Sequence, residues 1–174
     1  GHPATVMVRG THPRSARRAV SSRWCADPDV VGAYSYLRIG GSPTHRERLT
    51  AEVLPGLWFA GEATSVAYPA TMHGAWFSGG RAAEQVTAAA AGGPVIVVGA
   101  GIAGMVAARR LGDAGIDTVV LESKPAPGGR IATDTSLGVP VPLGGAWLHG
   151  EVGHPMASLV SWVEEEWTHR AMFV

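Results

Sequence analysis

The clearest patterning of apolar and polar positions lies between Pro94 and Glu122. Val95-Ile96-Val97-Val98 is a short apolar run, a glycine-rich turn follows, Ile102 to about Leu111 is an Ala-rich helical stretch, and Thr118-Val119-Val120-Leu121 is a second apolar run. Strand, turn, helix and strand within about 30 residues have the dimensions of a βαβ unit. Gly115 suits the helix end, where a left-handed residue costs glycine little. Upstream, Gly74 to Ala91 reads as a helix with Ala75, Ala82, Ala83 and Val86 as small apolar surface and Arg81 and Glu84 towards solvent. Ala88 to Gly93 reads as its frayed end and a linker.

Further strands are expected at Leu57-Trp58-Phe59-Ala60, running into Gly61-Glu62, at Val30 to Ile39, and at Thr5-Val6-Met7-Val8. The basic, unpatterned stretch Thr11 to Arg23 reads as loop or surface helix, and Ser158 to Val174 as helix followed by strand. The strands at Leu57, Val95 and Thr118 need partners in one sheet. The expectation is a single α/β domain over residues 1–174, with a central parallel sheet buried on both faces.

Composition narrows this picture. At 174 residues with 46% hydrophobic content the chain can bury a core as one domain. A formal net charge of zero argues against a nucleic-acid surface or a polybasic membrane patch. No apolar run is long enough to span a bilayer, and the opening residues lack a signal-peptide pattern, so a soluble cytoplasmic protein is expected. The single Cys25 cannot form an internal disulfide and reads as a small packing residue. Twenty-four glycines without a period indicate turns and close backbone approaches.

The chemistry concentrates in three places. Gly99-Ala100-Gly101-Ile102-Ala103-Gly104 matches G-x-G-x-x-G between a strand and a helix, the context in which that pattern cradles a dinucleotide diphosphate on free N–H groups. Glu122, about 20 residues on, is placed to accept hydrogen bonds from ribose hydroxyls. In Gly128-Gly129-Arg130, two glycines allow backbone near the phosphates and an arginine can neutralise them. No metal-ligand spacing accompanies His73 or His149.

Glu122 followed by Gly128-Gly129-Arg130, after the glycine fingerprint, resembles the extended FAD signature of glutathione-reductase-type flavoproteins, in the branch of monoamine oxidases, polyamine oxidases and lysine-specific histone demethylases. Leu143-Gly144-Gly145-Ala146-Trp147-Leu148-His149-Gly150 is similar to the polyamine-oxidase segment along the flavin ring. Leu57 to Thr64 and Tyr68 to Ala75 resemble the family's last strand and final flavin-contacting helix. The resemblance implies a Rossmann-like FAD-binding domain. Its FAD contacts would come from Gly99, Gly101, Ile102, Ala103 and Gly104, from Glu122 and Ser123, and from Gly128, Gly129 and Arg130. Leu143, Gly144, Gly145, Ala146 and Trp147 would follow the ring, and Gly61, Glu62, Thr71, Met72 and Ala75 would come from the first half. It also implies that Tyr34 and Thr71 are facing walls of a substrate cage for a small amine. Trp58 and Trp147 fit core packing as well as flavin contact.

The chain departs from the family in two respects. The segments stand in reversed order, 1–92 resembling the family's C-terminal part and 93–174 its N-terminal part, as in a circular permutation joined at Ala88 to Gly93. The family's middle region, with its substrate sheet and a lysine near flavin N5, has no counterpart, and the only lysine, Lys124, lies at the adenosine end. The cysteine that holds flavin covalently in monoamine oxidases falls at Ala33. These features imply a reduced domain that binds FAD non-covalently with little amine oxidase activity. Alternatives are an active amine or polyamine oxidase and an NAD-binding Rossmann module.

Overall fold

The computed structural model describes residues 5–9, 16–89, 92–149 and 154–157. In chain order, β1 (Thr5–Arg9) pairs antiparallel with β2 (Ala16–Ser21). Helix α1 (Pro43–Arg48) precedes a hairpin of β3 (Glu52–Leu54) and β4 (Leu57–Trp58). Helix α2 (Met72–Ala88) is followed by the unit β5 (Val95–Val98), α3 (Ile102–Asp113) and β6 (Thr118–Leu121), and the short pair β7 (Thr133–Asp134) and β8 (Val141–Pro142) completes the described elements.

The βαβ expectation holds. β5 and β6 are parallel in register, from Val95 opposite Thr118 to Val98 opposite Leu121. α3 ends where Gly115 takes φ +75°. There the N–H groups of Gly115 and Ile116 return to the carbonyls of Gly112 and Leu111 at 2.9 Å each, the paired bonds of a Schellman end.

α2 starts two residues earlier than its apolar pattern suggests, because the Thr71 hydroxyl accepts the Gly74 N–H at 3.0 Å and caps it. α2 lies on α3 with the two chains running the same way: Gly79 meets Ala103, and Glu84 meets Arg110 at 2.7 Å. The approach is close. A β-carbon at Gly79 would stand 2.2 Å from the Ala103 carbonyl oxygen. Ala83, Val86, Ala107 and Leu111 form the buried cluster between the helices, with Trp58, Val95, Val97 and Ile116 packed around it. Trp58 is therefore a packing residue.

Arg81 corrects the solvent-facing expectation. It is half-buried, and its guanidinium donates to the carbonyls of Thr50 and Phe59 at 2.8 and 2.7 Å and to Gln85 Oε1 at 2.6 Å, fastening the β3–β4 hairpin to α2. Burial pulls its pKa below the usual arginine value, and these acceptors hold the cation. Glu84 is exposed as expected.

Other expectations are corrected too. Among the described residues the strands form four two-stranded sheets, and β4 pairs with β3 rather than with β5 or β6. Only one face of the parallel pair is covered: Ile96 and Val98 are 62% and 83% exposed, Val119 and Leu121 47% and 51%. Among the described residues one layer of helices packs on this pair, so its continuous apolar runs serve one buried face. Val30 to Ile39 is turn and bend, because Val31 (φ +55°) breaks the extended path and the Ser35 N–H is taken by a side chain. Residues 16–21 of the unpatterned basic stretch are strand. Cys25 is exposed rather than packed. Residues 90–91 and the tail from 158 lie outside the described residues.

Gly79→Ala should force the helices apart and destabilise the protein by about 1–3 kcal/mol, the usual consequence of overpacking. Urea unfolding followed by far-UV circular dichroism measures this, and an unchanged midpoint would contradict the packing described.

Candidate functional site

The turn between β5 and α3 begins where the parallel ladder ends. The Gly99 N–H donates to the Leu121 carbonyl at 2.7 Å, and φ of +98° then turns the chain into the helix. A β-carbon on Gly104 would fall 2.0 Å from the Gly99 carbonyl oxygen, so the third glycine lets α3 sit against the turn.

Glu122 leaves the end of β6 facing this turn. Its Oε2 accepts the Ala100 N–H at 2.6 Å and its Oε1 the Lys124 N–H at 2.9 Å. These bonds, the Ala100 one foremost and the Lys124 one next, hold the Glu122 pKa below its ordinary value against the opposing effect of burial, with a lesser contribution from Ser123.

The third chemical stretch closes on the same turn. The Gly128 N–H donates to the Ala100 carbonyl at 2.9 Å, and Gly101 and Gly128 form an isolated parallel bridge. Arg130 then reaches into the first half of the chain, donating to the Ala33 carbonyl at 3.2 Å and lying 3.4 Å from Glu62 Oε1. The Gly145 N–H returns to the Arg130 carbonyl at 3.0 Å, which lays 143–147 beside this turn.

These pieces enclose one cavity of about 830 Å³. From the second half it is lined by Gly99, Gly101, Ile102 and Ala103, by Glu122 and Ser123, by Gly128, Gly129 and Arg130, and by Leu143, Gly144, Gly145, Ala146 and Trp147. From the first half come Gly61, Glu62, Thr71, Met72, Ala75 and Tyr34. Of the residues that the resemblance assigns to FAD contacts or the substrate cage, all but Gly104, which packs behind the turn, line this cavity. Thr71 reaches the wall while its hydroxyl donates to the Tyr68 carbonyl at 2.8 Å. Tyr34 and Trp147 are 64% and 73% exposed. His149 also lines the cavity. His73 does not: it is buried against the rings of Tyr68 and His154, at 4.6 and 4.7 Å, and burial, then the charges of His154 and His149, lower its pKa.

Sequence reasoning missed Ser22, Trp24, Asp29 and Ala70 on this wall. Trp24 donates to the Leu143 carbonyl at 2.8 Å, and the Asp29 carboxylate accepts the Ser123 hydroxyl at 2.9 Å. No local pattern marks Trp24 or Asp29, because their partners Leu143 and Ser123 lie far away in sequence.

The electrostatics suit an elongated anionic ligand with hydroxyl groups. Both α2 and α3 present N-terminal residues to the cavity, where unpaired N–H groups and the helix dipole favour negative charge. Arg130 adds a cation, and the Glu122 carboxylate, ionised and held in place, retains lone pairs for hydroxyl donors.

Comparison with known proteins divides the chain at the same place. Residues 5–87 match the family model for flavin containing amine oxidoreductases, and residues 97–161 match that for an NAD(P)-binding Rossmann-like domain. The chain is 51% identical over 65 residues to lysine-specific histone demethylase 1 homolog 2 of Oryza sativa subsp. japonica, covering 37% of this chain and 8% of that protein. It is 49% identical over 67 residues to probable polyamine oxidase 4 of Arabidopsis thaliana (38% and 14%), and 55% over 56 residues to polyamine oxidase 2 of the same plant (32% and 11%). The matched stretches thus span about a tenth of these relatives. No solved structure matches the chain.

The lowered pKa of Glu122 sets a pH dependence. Its ionised form is favoured by folding, so its contribution to stability is complete above the ordinary value of 4.5 and is lost as pH falls through the depressed folded value. The stability difference between wild type and Glu122→Gln should therefore be constant above pH 4.5 and shrink below it. Urea midpoints of the two proteins across that range measure it; a difference that does not move with pH would refute the assignment.

Proposed function

We propose that this chain, which carries segments of the flavin-containing amine oxidase family, binds FAD non-covalently in the cavity that its two halves share. The observation that carries the reading is that single cavity: a glycine turn, an acid at the strand end and an arginine from one half meet a second helix N-terminus and an aromatic side chain from the other. In this reading Glu122 takes the adenosine ribose, and the backbone of Gly99 to Ala103 with Arg130 takes the diphosphate. The 143–147 stretch follows the ring, and the α2 N-terminus from Met72 to Ala75 lies at its pyrimidine end, where a positive dipole favours negative charge. A volume of about 830 Å³ lies within the usual range of cofactor sites.

The order of the two family matches supports a permuted glutathione-reductase-type domain, with 1–92 as the family's C-terminal part and 93–174 as its N-terminal part. Ala33, at the position resembling the flavin-bearing cysteine, lines the cavity and offers no sulfur. An NAD-binding module is the second reading, favoured by the Rossmann-like match over 97–161. It leaves the contribution of Gly61 to Ala75 to the cavity without a role.

FAD, when bound, supplies hydride acceptance from an amine carbon. This chain's own residues bind and orient it, and they offer a small amine only Tyr34 and the edge of Thr71. The single lysine, Lys124, is engaged by Asp27 beside Glu122, far from the place of a lysine at the ring.

Purified protein should show a flavin absorbance spectrum, and acid should release the flavin. Glu122→Ala should weaken FAD binding roughly 5- to 150-fold, measured by titration of the apoprotein. A protein that takes up NAD but no FAD would favour the second reading.

Amine turnover should be very slow. Anaerobic mixing with spermine, spermidine, putrescine or an aromatic amine should leave the flavin oxidised. Bleaching at about 1 per second or faster would establish a complete oxidase site.

A further inference from the structure

Glu62 is 7% exposed, and the side chains and loops around it saturate its carboxylate. Oε1 accepts the Ser35 N–H at 2.9 Å and faces Arg130 Nη1 at 3.4 Å, while Oε2 accepts the Ser35 hydroxyl at 2.6 Å and the Ala70 N–H at 2.7 Å. Four donors match the roughly four lone pairs that a carboxylate offers. Behind Ser35 stands a second buried charge: Arg46, 6% exposed, donates to the Ser35 hydroxyl at 2.7 Å and to the Ala63 carbonyl at 2.9 Å.

A buried carboxylate is tolerated only when hydrogen bonds and opposite charge replace water, and here they do. The four donors have little else in common. Ser35 belongs to the loop that carries Tyr34. Ala70, a non-glycine residue at φ +62°, shapes the turn that delivers the Thr71 cap of α2. Arg130 belongs to the other half of the chain. All three meet at one side chain whose hydrogen-bonding capacity they use up.

We infer that Glu62 is a positioning residue: rather than binding the cofactor through its carboxylate, it fixes Arg130 and the loops at Ser35 and Ala70 in the places from which they face the ligand. This rests on the reading of the cavity as an FAD site for its consequence, though not for its geometry. Glutamine is nearly the same shape, but its amide nitrogen is a donor. In Glu62→Gln at least one of the Ser35 and Ala70 N–H groups must therefore face another N–H and lose its acceptor.

The test has two arms. In the ligand-free protein, hydrogen exchange at the Ser35 or Ala70 amide should quicken about tenfold in Glu62→Gln, while amides in the middle of α2 and α3 keep their wild-type rates. In the FAD-binding protein, Glu62→Gln should lower affinity about tenfold, and should lower it far less once Arg130→Ala is present, because the two act through one contact. Unchanged exchange at both amides, or losses that simply add in the double mutant, would overturn the inference. If Glu62→Gln does not fold, Ser35→Ala removes one donor and carries both readouts at smaller amplitude. Wild-type protein that binds no FAD would sink the cofactor reading, and the exchange arm would still decide the role of Glu62.

Discussion

The arrangement depends on the contact of α2 with α3, two helices from opposite halves of the sequence. Glycine at position 79 lets α2 settle on the Ala103 carbonyl, and small residues along both helices bury Leu111 between them. Running side by side in the same direction, with α2 starting about two turns before it crosses the start of α3, both helices present N-terminal residues and a positive dipole end to one cavity. Either helix alone would give a weak anion site. The close packing aligns them, and a bulkier residue at the crossing would misplace one terminus relative to the other.

What lies around that cavity is largely a seam. Lys124 pairs with Asp27, the Ser123 hydroxyl bonds Asp29, Trp24 bonds the Leu143 carbonyl, and Arg130 reaches Ala33 and Glu62, each contact crossing from one half to the other. Partly exposed ion pairs of this kind contribute little apiece, roughly 0–1 kcal/mol. The buried apolar cluster is also small, and one face of the β5–β6 pair is open. A ligand that touches both walls therefore adds to the cohesion of the halves, since binding to the folded state alone stabilises it by mass action.

What was legible in the sequence is what local physics decides. The β5–α3–β6 unit follows from two apolar runs and a glycine turn, and Gly115 ends the helix for a reason visible in one residue. The same locality explains the errors. Val30 to Ile39 has the composition of a strand, but its Ser35 is captured by a carboxylate 27 residues away. Arg81 looks solvent-facing because nothing nearby shows that the carbonyls of Thr50 and Phe59 converge on it. β2 forms through backbone pairing with β1, which leaves no apolar alternation to read. The candidate site was legible where a glycine or an acid has a fixed spacing, and silent at Trp24 and Asp29, whose partners are set by the tertiary fold.

Lys124 shows how one charged side chain can join the two halves of this chain beside the cavity. Lys124 lines the cavity with the Asp27 carboxylate against its ammonium and the Trp24 ring 5.6 Å from its nitrogen. The same pairing lowers the Asp27 pKa, first through the Lys124 hydrogen bond. A lysine held in this way ties the two halves of the chain together beside Glu122, whose Oε1 accepts the Lys124 N–H at 2.9 Å.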